Sequence, residues 1–448
     1  MRASALRYAV LGVAFGGSAC SWSRFDELTD SSPVVLLDRP AALTNGFGVS
    51  LATASNQGKT QLLVGGTVTA SAAALYEIGQ PDAPGLTAID TNYCSSDEQP
   101  CSLSSLTAGF ANAQAPDTVR PLCFAVGSGK VVDLGLVVRC QDDSEYTLRM
   151  PQTAQDLLAQ AITQDKPRDF PLATDRGQDP VLLASLPEQH LAWFYPQKSL
   201  TFSELLLPNG TAADDSTFGK SLAVLAVDGG HVLALGVSGK SQVFLWKTVV
   251  GATDAHYLGC LGGRKGMGRA LSSGKVNSDG SDDLVVSDES QVQVIDGAEL
   301  FKLPETTSSE CSLSSLLTGA TLGSFVCGST SDVSGCETSE FGAALAVGDL
   351  DGDGDGEVIV GAPKMTVRGE ENAGALLVYD ADAAAFSSLV EAKFMSSAEG
   401  EDQLGRTIVA PHVGKRDIIA AGAPGHGKAA LFYCSALLAA GKAGSRCP

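Results

Sequence analysis

The chain has 448 residues, 44% hydrophobic and 18% charged, which is ample apolar material for a buried core and excludes a disordered polar chain. Its formal charge of −21 argues against nucleic acid and against an anionic membrane surface, both of which need a basic face. Fifty glycines, 6% aromatics and short Val/Leu/Ala runs broken by Gly, Asp and Ser predict many short strands and tight turns rather than long amphipathic helices.

Residues 1–19 have the layout of an export signal: Arg2 and Arg7, an apolar run from Tyr8 to Phe15, then small residues up to Ala19. Cys20 after Gly17-Ser18-Ala19 resembles a bacterial lipobox, whose cysteine is lipidated and becomes the new N-terminus. Gly17 stands where such signals usually carry Leu, so plain cleavage after Ala19 is the alternative. Residues 20–31 read as a linker and 32–448 as the folded region. No later segment has the ~18 unbroken apolar residues of a membrane span. Ten further cysteines, an even number in an exported chain, predict disulfides. Spacing favours Cys94 with Cys101, Cys123 with Cys140, Cys327 with Cys336 and Cys434 with Cys447, leaving Cys260 with Cys311. None of them has zinc-site spacing.

A repeat runs along the chain. Five segments open on an apolar residue and a glycine: Phe47-Gly48, Phe218-Gly219, Met267-Gly268, Phe341-Gly342 and Leu404-Gly405. Each continues as a strand, a polar loop, a second strand ending at Gly65, Gly236, Ser287, Gly361 or Gly422, and a third strand. These units lie near 47–78, 218–248, 267–300, 341–395 and 404–434, and two degenerate ones fit within 107–205. Pro33–Leu37 is placed to complete the last unit beside Ala429–Tyr433, and the cysteine-rich stretch 302–340 reads as an insertion between units. The phrase Cys-Ser-Leu-Ser-Ser-Leu, at Cys101 and again at Cys311, points to a related insertion after the first unit. The expected fold is therefore all-β: a seven-bladed β-propeller of four-stranded antiparallel blades with disulfide-bearing interblade insertions.

Loop length divides the units. From opening glycine to the end of strand two, Gly48–Gly65, Gly219–Gly236 and Gly405–Gly422 span 17 positions, whereas Gly268–Ser287 and Gly342–Gly361 span 19. The two longer loops are also the acidic ones.

Phe341-Gly342, the run from Asp349 to Glu357, Gly361-Ala362-Pro363 and Tyr379 resemble the FG-GAP repeat of integrin alpha chains and many bacterial surface proteins, and Gly422-Ala423-Pro424 repeats the last element. The resemblance implies a propeller with calcium in some blades and a binding role. Calcium takes six to eight oxygens, so its loop must present carboxylates on alternate residues with glycine where the backbone folds back. Asp349, Asp351 and Asp353 provide that alternation, the carbonyl of Asp355 is placed to turn inward, and Glu357 closes the site. Shifted by 74 residues, the other long loop puts Asn277, Asp279, Ser281 and Asp283 at the same positions, with Lys275 at the first. That ammonium either stands in for a cation or leaves room for a second Ca2+. The shorter loops lack the carboxylate ladder and are expected to hold no metal.

Signals of catalysis are weak. His190, His231, His256, His412 and His426 have no partner at metal or triad spacing. Gly236–Ser241 imitates part of a phosphate loop, but Ala234 replaces its first glycine, and Gly127–Lys130 fails likewise. The expected function is that of an exported, envelope-anchored binding module, not an enzyme. Its ligand would be a protein or glycan, its only membrane contact an N-terminal lipid, and nucleotide or nucleic acid no partner. The alternatives are a soluble secreted or periplasmic form, a scaffold subunit of an outer-membrane or secretion assembly, and, last, an enzyme acting on polysaccharide.

Overall fold

The computed structural model describes residues 23–24, 34–40, 45–56, 58–67, 73–80, 85–90, 101–102, 108–111, 122–128, 135–140, 145–156, 171–175, 181–196, 201–207, 215–308, 311, 320–327, 333–334, 338–367, 369–380, 390–396 and 400–433. They form an all-β structure of successive antiparallel sheets. Sheet A comprises Asn45–Asn56, Lys59–Thr67, Ala73–Ile78 and Leu86–Asp90. Sheet B has Ala108–Ala111, Leu122–Ser128, Gly135–Cys140 and Glu145–Arg149, with Cys101–Ser102 also pairing to the second of these. Sheet C has Leu172–Thr174, Leu182–Leu186, Leu191–Tyr195 and Ser203–Glu204, and sheet D has Phe218–Val227, Gly230–Val237, Gln242–Val249 and His256–Gly262. Leu271–Gly274, Asp283–Ser287, Gln291–Ile295 and Thr321–Val326 make sheet E, and Leu345–Gly348, Glu357–Ala362, Ala375–Asp380 and Val390–Ser396 make sheet F. Sheet G is built from both ends of the described chain: Thr407–Val409, Ile419–Ala423 and Lys428–Phe432, with Val34–Asp38 antiparallel to the last, Val34 opposite Phe432.

The sheets close into a ring. First strands touch in sequence from A through B, C, D, E and F to G, and that of G touches Asn45–Asn56 of A. Ala52, Thr174, Ala223, Ser272, Ala346 and Val409, all on first strands, line a central cavity of about 220 Å³. The apolar core lies between sheets rather than inside one. One cluster joins E to F around Val285, Phe341 and Val360, another F to G around Ile359 and Ile419, and a third G to A around Phe47, Leu62 and Leu431. Second strands are sandwiched on both faces, so Glu357–Ala362 and Gly230–Val237 are buried throughout and, after Glu357 and His231, read as continuous apolar runs.

The repeat has a packing explanation. The apolar residue before each opening glycine inserts between its own sheet and the preceding one, where Phe47, Phe218, Phe341 and Leu404 are at most 1% exposed. Complete burial of one such side chain contributes about 2–3 kcal/mol. The glycine itself takes a left-handed turn, with φ from +66° to +88° across the five, and its carbonyl meets the end of the preceding sheet's second strand. There a Cβ on Gly236, Gly361 or Gly422 would lie 2.2, 2.1 or 1.9 Å from the carbonyl oxygen of Gly268, Gly405 or Gly48. Where serine replaces the glycine, its hydroxyl donates instead: Ser287 Oγ to Gly342 O at 2.8 Å and Ser185 Oγ to Gly219 O at 2.7 Å.

The stretch 302–340 is not wholly an insertion. Thr321–Val326 is the outer strand of sheet E, opposite Gln291–Ile295, and Val333–Ser334 pairs with Thr366–Val367. Only Phe325 is buried in that outer strand, so it lacks the apolar alternation that would have marked it. Ser23–Arg24, within the expected linker, runs parallel to Met395–Ser396 at the outer edge of sheet F. Cys260 is disulfide-bonded to Cys311, and Cys327 is also disulfide-bonded. Cys123 and Cys140 stand opposite each other in register. Cys101 begins a short strand, whereas Cys20, Cys94, Cys336, Cys434 and Cys447 lie outside the described residues. No helix among the described residues is long and apolar enough to cross a membrane.

Candidate metal centre

The loop of sheet F leaves the ring at Gly348 and returns at Glu357. Gly352 and Gly354 take φ of +81° and +99°, so the backbone can double back, and Leu350, 2% exposed, anchors the turn in the core. Backbone donors orient the carboxylates. Gly352 N–H donates to Asp349 Oδ1 at 2.6 Å and Gly354 N–H to Asp349 Oδ2 at 3.2 Å. Asp353 N–H donates to Asp351 Oδ1 at 3.1 Å and Asp355 N–H to Asp353 Oδ1 at 3.0 Å. Glu357 is 7% exposed, and its Oε2 accepts from Leu350 N–H at 2.7 Å.

Asp349, Asp351 and Asp353 converge: each offers an oxygen within 4.8 Å of those of the other two. Two oxygens bound to one Ca2+ at about 2.4 Å cannot stand farther apart than about 4.8 Å, so the donor set fits that ion in kind and spacing. Without a cation the arrangement is unfavourable. Two unit charges about 5 Å apart repel by roughly 3 kcal/mol at an effective dielectric near 20. Burial, with the charges of Asp417 and Asp353, raises the pKa of Asp349 against the opposing pull of its hydrogen bonds. Asp355 is half-buried and Glu357 is buried.

The loop of sheet E repeats this skeleton. Asp279 N–H donates to Asn277 Oδ1 at 3.0 Å, Ser281 N–H to Asp279 Oδ1 at 2.7 Å, and Val276 N–H to Asp283 Oδ2 at 3.1 Å. All three match bonds in the sheet F loop under the 74-residue shift. The donor set differs. Lys275, exposed, replaces Asp349, and Asn277 and Ser281 replace two further aspartates. Asp283 also accepts from Gly297 N–H at 3.1 Å, and burial pushes its carboxyl up to about 7 despite these bonds.

Three histidines bridge to aspartates: His231 Nε2 to Asp175 Oδ2 at 3.6 Å and His426 Nδ1 to Asp402 Oδ1 at 2.6 Å across separate loops, and His412 Nδ1 to Asp417 Oδ1 at 2.9 Å within one. Sequence spacing does not reveal the first two because each joins separate loops. In the Gly236–Ser241 turn Gly239 N–H donates to Thr217 Oγ1 at 2.9 Å, and the Asp215 carboxylate packs against the glycine. That is the wrong charge beside a phosphate site.

Ring closure, sheet-on-sheet packing and the shared loop skeleton define a β-propeller with a cluster of three aspartates on one loop. Residues 341–379 match the model of the FG-GAP repeat, the segment holding the aspartate cluster. Comparison with curated proteins finds no match. Among solved structures, the C-terminal WD40 domain of Sif2 is 12% identical, with 89% of this chain and 98% of that chain covered and a TM-score of 0.46. Saccharomyces cerevisiae Sqt1 is 10% identical over 89% and 98%, with a TM-score of 0.44. The six-bladed fucose-binding lectin of Aleuria aurantia is 10% identical over 78% and 96%, at 0.38. At that level of likeness the propeller assignment rests on the strand pairing and ring contacts of the chain itself.

Proposed function

We propose that the chain is an exported, envelope-anchored, calcium-binding propeller that acts by binding a protein or glycan, without catalysis. The observation that carries this reading is the convergence of Asp349, Asp351 and Asp353 on a rigid loop between two strands of the ring. In it, sheets A to G are seven blades related to those of integrin alpha chains, and Cys20 carries the lipid. Asp349, Asp351, Asp353 and Glu357 hold one Ca2+ with the Asp355 carbonyl, and Asn277, Asp279, Ser281 and Asp283 form a weaker second site. The ion's contribution is structural: it neutralises carboxylates that otherwise repel and fixes the rim that presents the contact loops. Disulfide-bearing segments between blades add to that surface.

The test is thermal unfolding with and without chelator. Removing Ca2+ should lower Tm, and Asp351→Ala combined with Asp353→Ala should abolish most of the difference. Identical melting curves in all conditions would refute the calcium reading. A pull-down from the cell envelope, with mass spectrometry of the mature N-terminus, tests anchoring and partner.

A further inference from the structure

Neighbouring sheets are joined at a fixed place on the rim that carries the acidic loops. Five positions before the small residue that ends strand two stand Thr60, His231, Asp282, Gly356 and Asp417. Each reaches the residue at the start of the corresponding loop in the preceding sheet. Thr60 Oγ1 donates to the His412 carbonyl, and His231 pairs with Asp175. Asp282 N–H donates to Ala226 O at 2.8 Å, and Asp282 Oδ2 accepts from Ala226 N–H at 2.9 Å. Gly356 N–H donates to Lys275 O at 2.5 Å. Asp417 repeats the two-way pattern on the metal loop: its N–H donates to Asp349 O at 2.7 Å, and its Oδ2 accepts from Asp349 N–H at 3.2 Å.

We propose that Asp417 of sheet G is a positioning residue for the cation loop of sheet F. This rests on the calcium reading given above. Both backbone polar groups of Asp349, the first ligand residue, are bonded to Asp417. Asp417 is itself held. Its side chain is 6% exposed, its Oδ1 meets His412 Nδ1 at 2.9 Å, and its Cβ backs onto Gly348 at the loop's root. Its carboxylate does not join the converged trio; it sets the direction from which Asp349 enters. Ion binding in F and docking of G, whose outer strand closes the ring, then reinforce each other, because coupling between two sites is reciprocal.

The test is calorimetric titration of the full chain with CaCl2 after chelator treatment. Loss of an outer partner of a metal ligand typically costs 10–100-fold in metal affinity. Asp417→Ala should therefore weaken Ca2+ binding at least about tenfold, whereas Asp417→Asn, which keeps an oxygen for the Asp349 N–H, should recover most of the affinity. His231→Ala, which breaks the equivalent joint between C and D, should leave Ca2+ affinity unchanged and so controls for general loosening of the ring. Wild-type affinity in Asp417→Ala, or an Asn variant as weak as the Ala variant, would overturn the positioning role while leaving calcium binding intact. A wild-type chain that takes up no Ca2+ overturns both.

Discussion

Of the strand-two glycines Gly236, Gly361 and Gly422, that of sheet G carries the most severe steric demand. In Gly422→Ala the new Cβ would lie 1.9 Å from Gly48 O and 2.5 Å from Thr407 Oγ1, where real Cβ contacts essentially never fall below 3.0 Å. Neither neighbour is the flexible end of a long side chain. Gly48 O is backbone of sheet A, its residue fixed at φ +87°, and Thr407 Oγ1 donates to that same oxygen at 2.8 Å. Sheets A and G must separate by about 1 Å at this point. Overpacking of that kind costs about 1–3 kcal/mol and loss of the Thr407 bond about 1 kcal/mol, so the expected destabilisation is roughly 2–4 kcal/mol. Urea unfolding followed by the fluorescence of Trp193 and Trp246, both fully buried, measures it. Gly85→Ala, where a Cβ meets nothing within 4 Å, is the control and should be near neutral. A Gly422→Ala midpoint within about 0.5 kcal/mol of wild type would refute the view that the small residue is a spacing requirement between blades.

Two further outcomes follow from named contacts. Glu340 sits among Lys364, Arg406 and Arg269; burial pushes its carboxyl up but is outweighed by the Lys364 hydrogen bond and the three positive charges, so its pKa falls below the ordinary 4.5. A depressed carboxylate adds stability above its unfolded pKa and loses it as pH falls through the folded one. Wild type should therefore be more stable than Glu340→Gln at pH 7, with the gap closing below about pH 4 in melting curves. Cys260→Ser opens a loop of 51 residues and on chain-entropy grounds costs roughly 4 kcal/mol, to be read as a shift in the urea midpoint.

Much of the ring could be read in the chain because the recurring residues do recurring work. The apolar-glycine pairs mark the wedge between sheets, and the strand-two glycine or serine marks the next contact. The place of Pro33–Leu37 beside the last strand was legible from the expected closure of the ring by the chain's start, and Val34–Asp38 pairs there. Sheet C was only partly visible because Ser185 replaces the expected glycine and no apolar-glycine pair opens Leu172–Thr174, although the hydroxyl makes an equivalent contact. The outer strand Thr321–Val326 was missed because it is largely exposed and lies far along the chain from its partner Gln291–Ile295. In the acidic loop the convergence of Asp349, Asp351 and Asp353 was legible, since their oxygens come from near neighbours in sequence. Asp417 was not, since its partner Asp349 lies 68 residues away and the loop that holds it carries no carboxylate ladder.

The two loop lengths acquire a physical meaning from the joints between sheets. The points gripped by neighbours are five apart in the short loops, Ala226 to His231 and His412 to Asp417, and seven apart in the long ones, Lys275 to Asp282 and Asp349 to Gly356. The two extra residues thus fall between fixed points. They lengthen the exposed arch without moving either strand, and they create the room in which alternate aspartates turn toward one another. On the calcium reading proposed above, a metal site is then an addition to a blade whose frame is already complete. Deleting Asp353 and Gly354 should bring the sheet F loop to the short spacing and keep Asp417 on Asp349. It should also eliminate the chelator-dependent change in Tm, while the calcium-free melting temperature stays within a few degrees of wild type because the repelling carboxylate Asp353 is gone. Far-ultraviolet circular dichroism and the melting curve with and without Ca2+ decide the matter. A deletion variant that fails to fold, or one that still responds to Ca2+, would show that the arch is part of the frame.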